Sequence, residues 1–107
     1  MMRALKRRRI VSIAEFSLHP IGTRTGVGIC VRRALEAISK IEGLEYQVTP
    51  MATILEAKDV HTILKVVEAS HSALRSMGAK RISSILHIDE RLDKPRTMKD
   101  KIEKVKG

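Results

Sequence analysis

The order in which hydrophobic periodicities follow one another constrains this chain more than any other feature of its sequence. Apolar and polar residues that alternate predict a strand, and apolar residues spaced three and four apart predict a helix. Each half of the chain begins and ends with a strand pattern and has a helical pattern between. The predicted strands are 9–19, 44–49, 51–57 and 80–90, the predicted helices are 27–41 and 60–74, and a short charged helix begins at Thr97.

Local signals mark the ends of these predicted elements. Thr25 and Asp59 precede the two long helices as candidate N-caps. Gly43 and Gly78 follow them as stop signals. The connection around Pro50 is too short to hold a helix, so the strands on either side of it should form an antiparallel hairpin.

The predicted order is β-α-β-β-α-β with an extra C-terminal helix, which is typical of the ferredoxin-like α+β fold with a four-stranded antiparallel sheet. Both long helices are expected on the sheet face that carries Ala14 and Phe16. The other face is expected to remain open, although it carries Val11, Ile13 and Ile85. Exposed apolar groups predict a cover, and a second copy related by a two-fold axis is the simplest one.

The helical spacing also predicts which residues are buried. His71 lies on the apolar stripe of the second long helix and is interpreted as a hydrogen-bonded core histidine. Cys30 is interpreted as a small buried hydrophobe. The predicted stripes are Val27, Val31, Ala34, Ile38 and Ile41 on the first helix, and Val60, Ile63, Leu64, Val67, His71 and Leu74 on the second.

The net charge of +9 is confined to the two ends of the chain. Residues 1–9 are basic and are predicted to form a flexible extension, and residues 10–107 are predicted to form one domain. Residues 10–90 carry as many acidic as basic side chains, whereas a nucleic-acid-binding domain should be basic on the fold itself. Nucleic acid is therefore not an expected partner of the domain.

Composition also bears on location and source. No apolar run approaches the length of a membrane-spanning helix, and the single cysteine cannot form an internal disulfide. A cytoplasmic protein without a membrane partner is the expectation. The chain has no Asn and one Gln, a depletion seen in proteins of thermophiles.

No pattern for catalysis or metal binding is recognised. The glycines do not match a P-loop or a dinucleotide-binding motif, and the histidines lack the spacing of zinc ligands. We therefore predict no catalytic residues, no metal and no required cofactor.

Three groups of polar residues remain as candidate binding residues. The loop 19–26, with Thr23 and Thr25, runs into a helix N-terminus that can hold an anion or a polar ligand, or Thr25 only caps the helix. Glu15 and Ser17 lie on the open face, where the carboxylate either accepts from a ligand amine or forms an ion pair with Arg81 or Arg91. The third group lies at strand ends, where charges are usually solvated: Thr53 with Glu56, and Asp89 with Arg91.

Four stretches of the sequence together resemble one known family. They are FSLHPIGT (16–23), GLEYQVTPMATILEA (43–57), RISSILHIDERLD (81–93) and KPRTMKDKIEKV (94–105). In order and spacing they are similar to the thiamine-binding protein family, which is grouped with the YkoF-like proteins. The chain departs from the family pattern at Ala52, Ala57 and Gly28.

The resemblance implies a ferredoxin-like fold that assembles through sheet faces into dimers, commonly dimers of dimers. It also implies a ligand similar to thiamine or hydroxymethylpyrimidine, without catalysis. Toward such a ligand, Glu15 or Glu56 would pair with the thiazolium or accept from the pyrimidine amine, and Ser17, Thr25 and Thr53 would supply hydroxyls.

The sequence is therefore compatible with three functions. The first is a non-enzymatic binding protein for thiamine or a pyrimidine precursor, acting in vitamin handling or sensing as a homo-oligomer. The second is a small enzyme that acts on an organic phosphate or amine at a subunit interface, with Glu15 or His87 as the base. The third is an assembly module whose basic extension engages nucleic acid.

Overall fold

The helices and strands follow one another in the order that the sequence predicts. The computed structural model describes residues 11–22, 26–93 and 97–106. The predicted extension 1–9 and the candidate residues Thr23 and Thr25 lie outside these ranges. The elements are β1 (Ser12–Ile21), α1 (Val27–Ile38), β2 (Leu44–Val48), β3 (Thr53–Ala57), α2 (Val60–Ser76), β4 (Arg81–Glu90) and α3 (Met98–Lys106).

The four strands form one antiparallel sheet in the order β2-β3-β1-β4, which confirms the ferredoxin-like α+β fold. β1 pairs with β4 from Ser12 to Ile21, but it pairs with β3 only from Ser12 to Phe16. Pro20 and Ile21 were expected in a loop, yet they extend β1 because both are in register with β4. Pro20 lacks an N–H, and it fits here because the β3 side of the strand has no strand partner among the described residues.

The core lies between the sheet and the two long helices. Phe16 of β1 and Leu55 of β3 pack with Ile63 and Val66 of α2. Cys30 of α1 is buried, as the sequence predicts.

The buried stripe of α2 is rotated relative to the predicted one. Thr62 and Ser70 face the core, whereas Leu64 is 50% exposed. Thr62 can be buried because its hydroxyl donates to the Asp59 carboxylate at 2.7 Å. Hydrophobicity alone favoured the larger Leu64, but small side chains allow a helix to lie closer to the sheet.

Three of the four residues that were predicted to mark helix ends lie at or near the end of the predicted helix. Asp59 caps α2, since its carboxylate accepts from the Thr62 N–H at 2.8 Å, and Gly78 follows α2 with a positive φ of 88°. Gly43 also has a positive φ, of 81°, but it lies in the turn before β2, because α1 already ends at Ile38. The fourth prediction is wrong: the N-cap of α1 is Gly26 rather than Thr25, and a glycine has no side chain that can accept from the first helical N–H groups.

The sheet face opposite the long helices is not open throughout, because α3 lies at one end of it. The Met98 N–H of α3 donates to Glu56 at 2.8 Å, and the Lys101 ammonium donates to Asp89 at 2.7 Å. Val11 and Ile13, which were expected on an open face, are buried. Farther along the same face, the side chain of Ile85 remains 66% exposed.

The start of α3 at Thr97 is confirmed by a reciprocal pair of capping bonds. The Asp100 N–H donates to the Thr97 hydroxyl at 3.0 Å, and the Thr97 N–H donates to the Asp100 carboxylate at 3.1 Å. Such a capping box fixes the first turn of a helix. The helices of the described ranges are all too short or too polar to cross a membrane.

Candidate functional site

A cleft of about 180 Å³ opens beside the part of β1 that has no strand partner on its β3 side within the described chain. One wall is apolar and comes from α1, with Val31, Leu35 and Ile38. The opposite side comes from the hairpin turn between β2 and β3. The lining residues 16–19 and 48–53 belong to two of the stretches that carry the family resemblance, so the fold brings these two distant stretches together.

The register of the sheet explains why a cleft forms at this point. β3 begins at Thr53, which is opposite Phe16, so β1 continues past the end of its neighbour. The residues from Ser17 to Ile21 then have strand pairing only on the β4 side within the described chain. Every second residue of such an edge directs its backbone N–H and C=O away from β4, which offers polar groups to a ligand.

Thr49 holds the hairpin turn on the other side of the cleft. Its hydroxyl donates to the Ala52 carbonyl at 2.6 Å and accepts from the Ala52 N–H at 3.1 Å. Its own N–H also donates to the Ala52 carbonyl, at 2.9 Å. These bonds place Met51 at the tip of the turn, where it is 88% exposed. Thr49 therefore has a structural role and its hydroxyl is already occupied.

Four other polar residues line the cleft: Ser17, His19, Thr53 and Ser70. Thr53 is opposite Phe16 in the register, so its side chain lies on the helix-covered face. Ser17 and His19 alternate with Phe16 and Leu18, so their side chains point to the other face and they line the cleft through their backbone. Within the described ranges, no hydrogen bond engages the Thr53 hydroxyl, so it is available to water or to a ligand.

The described part of the cleft lining contains no Asp, Glu, Lys or Arg. Its polar groups are hydroxyls and backbone atoms, and the rest is apolar. Such a lining favours an uncharged, partly aromatic ligand, because an unpaired charge is costly to transfer into apolar surroundings.

Glu15 lies outside the cleft, on the opposite face of the sheet. It is directly across from His87 in the register, and the two side chains meet at 3.3 Å. An ion pair with Arg81 or Arg91 had been the alternative expectation. Arg91 instead binds Asp93 at 2.7 Å, and this carboxylate raises the pKa of Arg91.

Glu56 and Asp89 hold α3 against the sheet and are therefore already engaged. Asp89 has a lowered pKa because of its hydrogen bond and ion pair with Lys101. Thr53 and Glu56 were considered as one group, but they lie three residues apart in a strand and so point to opposite faces. Of the sequence-predicted candidates, the described structure places only Ser17 and Thr53 at the cleft.

The sequence reasoning missed His19 and Ser70 as cleft residues. His19 belongs to the loop pattern that was singled out for its threonines, so a signal existed. The sequence contains no such signal for Ser70, because a serine within a helix is usually exposed.

His71, next to Ser70, shares a hydrogen bond with the Ser84 hydroxyl at 2.8 Å, in agreement with its interpretation as a hydrogen-bonded histidine. Within the described residues, no cluster of His, Cys, Asp and Glu could hold a metal ion.

Fold and cleft together define a small ferredoxin-like domain with a ring-sized, largely apolar recess at the edge of its sheet. The family model for the thiamine-binding proteins matches residues 14–106, and the chain belongs to this family. The predicted resemblance is thereby confirmed.

Relatives of similar length support this assignment. A UPF0045 protein of Methanothermobacter thermautotrophicus is 37% identical over 94 residues, which are 87% of this chain and 94% of the relative. The UPF0045 protein YqgV of Bacillus subtilis is 33% identical over 99 residues, covering 89% of this chain and 94% of the relative.

Solved structures share the fold. The hypothetical protein MJ1052 of Methanocaldococcus jannaschii has a TM-score of 0.80 at 33% identity, covering 90% of this chain and 96% of that protein. A protein of Thermotoga maritima, provisionally named a thiamine biosynthesis/salvage protein, has a TM-score of 0.73 at 25% identity. The match covers 89% of this chain and 98% of that protein.

Proposed function

We propose that this protein is a non-enzymatic binding protein for thiamine or a hydroxymethylpyrimidine-like precursor, and that it acts in vitamin handling or sensing. The observation that carries this proposal is the cleft, which unites two stretches of the family pattern around an apolar wall and the Thr53 hydroxyl. Family membership and the provisional name of the Thermotoga relative support the choice of ligand.

The chemistry of the cleft suits such a ligand. An aminopyrimidine ring is flat and apolar on its faces, and it has hydrogen-bond donors and acceptors on its edge. The α1 wall can contact a ring face, while the Thr53 hydroxyl and the backbone of residues 16–19 can bond to the ring edge. The thiazolium of thiamine is cationic and would lie toward the mouth of the cleft, where water solvates it.

Isothermal titration of the purified protein tests the proposal directly. We expect saturable micromolar binding of thiamine or hydroxymethylpyrimidine at ~0.15 M salt, where charge effects beyond about 8 Å are screened. Thr53→Val should weaken binding by about tenfold through the loss of one hydrogen bond. Gln47→Ala, an exposed change outside the cleft, is the control. The absence of both heat and thermal stabilisation with either ligand would contradict the proposal.

The homo-oligomer is part of the same proposal. The sheet face beyond α3 presents Ile85 to solvent, and a second copy of the same face would bury it. We expect a dimer, or a dimer of dimers, in light scattering of the purified protein. Ile85→Lys should reduce the measured mass toward that of a monomer, whereas Ser72→Lys, at an exposed position of α2 on the other side of the sheet, is the control. A wild-type monomer would contradict this part of the proposal.

One observation favours the enzyme as a second candidate. Glu15 and His87 meet at 3.3 Å on the sheet face, and a carboxylate beside an imidazole can act as a general base pair. Both side chains are exposed, so a subunit interface would have to enclose them. Turnover of an organic phosphate or amine that is lost in Glu15→Gln would favour the enzyme. Ligand binding without turnover would favour the binding protein.

A further inference from the structure

The Glu15–His87 pair lies next to Ile85 on the sheet face opposite the long helices. Ile85 and His87 are two residues apart on β4, so their side chains point to the same face and lie about 7 Å apart along the strand. Glu15 is directly across from His87 on β1, and the two side chains meet at 3.3 Å. A surface that covers Ile85 therefore also reaches this pair.

The charges around the pair balance only when the imidazole carries a proton. A shallow recess of about 250 Å³ lies on this face, and its charged lining comes from Glu15, His87 and Asp89 of the sheet and Lys101 of α3. The β3 residue across from Glu15 is the uncharged Ile54. The hydrogen bond from Lys101 lowers the pKa of Asp89, so this ion pair keeps its charges between about pH 6 and 8.5. The recess is therefore neutral when His87 is protonated and negative when it is not.

Burial in an interface would give this balance an energetic weight that it lacks in the single chain. Both side chains of the Glu15–His87 pair are more than half exposed, and water screens ion pairs at such positions. In a closed interface, a carboxylate without a cationic partner is costly. A second copy of the same face is the cover that the charges favour, because two neutral recesses can meet without repulsion.

We propose that the assembly of this protein through the Ile85 face is sensitive to pH, because a protonated His87 neutralises Glu15 of the same chain where two copies meet. This inference rests on the homo-oligomer of the proposed function and is independent of the ligand. A histidine changes its charge between about pH 5 and 8. Since the assembled state holds the proton more tightly, the contribution of the pair is present at the acidic end of this range and is lost as pH rises.

Analytical ultracentrifugation at about pH 6 and about pH 8.5, both at ~0.15 M salt, measures the Kd of the dimer on either side of this transition. If each of the two imidazoles binds its proton about tenfold more tightly in the dimer, the dimer weakens by about a hundredfold at the higher pH. We expect a weakening of this order in the wild type. His61→Asn, which removes an exposed histidine of α2 on the other side of the sheet, should show the same weakening.

The double variant Glu15→Gln, His87→Asn replaces the pair with neutral polar groups of similar size. Both positions are exposed in the single chain, so the domain should fold as the wild type does. We expect the Kd of its dimer to be the same at both pH values. A pH dependence as large as that of the wild type would overturn the role of the pair.

The wild-type results separate this inference from the proposed function. A dimer of equal strength at both pH values would overturn the pH sensitivity and leave the homo-oligomer standing. A wild type that is monomeric at both pH values would overturn the homo-oligomer and this inference together. Neither result would affect the proposed ligand binding, which the titration with thiamine and hydroxymethylpyrimidine measures separately.

Discussion

The carboxylate of Glu56 accepts a hydrogen bond from the backbone N–H of Met98 at 2.8 Å, and so joins the third strand to the first turn of α3. The first N–H groups of a helix have no partner within the helix, and the N-terminus carries a partial positive charge. A carboxylate at this position accepts a hydrogen bond from such an N–H group, and its negative charge is attracted to the partial positive charge. Glu56 was considered a ligand residue from sequence, and in the structure it is an anchor for the C-terminal helix.

Removal of this anchor should loosen α3 without unfolding the domain. In Glu56→Gln the amide can still accept from the Met98 N–H, but the negative charge is lost. We therefore expect the free energy that holds α3 against the sheet to fall by about 1 kcal/mol. Hydrogen exchange of the α3 amides should become faster, while exchange in α2 stays unchanged. Glu45→Gln is the matched control, since Glu45 lies directly across from Glu56 and has no bond to α3 among the described contacts. Equal protection of α3 in both variants would show that Glu56 does not anchor it.

The second anchor of α3 should depend on pH. Lys101 lowers the pKa of Asp89 below its ordinary value. A carboxyl group with a lowered folded pKa contributes stability above its unfolded pKa of about 3.9, and this contribution is lost as pH falls through the folded pKa. We therefore expect the NMR signals of α3 to shift toward disordered values below about pH 4.

The variant Asp89→Asn supplies the control for this pH dependence. It removes the titrating group, so the acid transition of α3 should be smaller and the helix less ordered at neutral pH. High salt should reproduce part of this effect in the wild type, because both side chains of the ion pair are about half exposed. An unchanged acid transition in Asp89→Asn would assign it to other carboxyl groups.

The sequence predicted the fold well because the fold depends on patterns that are local. The alternation around Phe16 and the spacing along α2 are set by strand and helix geometry, and the cap at Asp59 by an N–H three residues away. The cleft could not be predicted in the same way. It depends on the residue at which β3 stops pairing with β1, and nothing in either segment alone specifies that register.

The roles of single charged residues were harder to predict for a related reason. Glu15, Glu56 and Asp89 have the same chemistry and all lie on one sheet face, and their roles differ by what lies across from each. His87 contacts the first, whereas α3 contacts the other two. The spacing of residues in the sequence predicts the face but not the partner.

The cap of α2 should contribute measurably to global stability. Asp59 accepts both the N–H and the hydroxyl of Thr62, at 2.8 and 2.7 Å. Asp59→Ala should cost about 1 kcal/mol of unfolding free energy, the typical effect of a lost N-cap, and more if the buried Thr62 hydroxyl finds no new partner. Urea denaturation measures this loss, with Lys58→Ala as a neighbouring surface control. A loss below that of the control would exclude a capping contribution.

Replacement of Ser12, at the start of β1, should change the free energy of unfolding in the opposite direction. It is fully buried on the helix-covered face, and its hydroxyl has no hydrogen-bond partner in the described structure. Ser12→Ala removes this unsatisfied group and leaves only a small gap, so we expect a gain of about 1 kcal/mol in the free energy of unfolding. Ser84→Ala is the matched comparison, because the Ser84 hydroxyl bonds to His71 at 2.8 Å and its loss should destabilise the protein. Urea denaturation of both variants should therefore give changes of opposite sign, and a destabilised Ser12→Ala protein would mean that the hydroxyl has a partner in solution, such as a buried water.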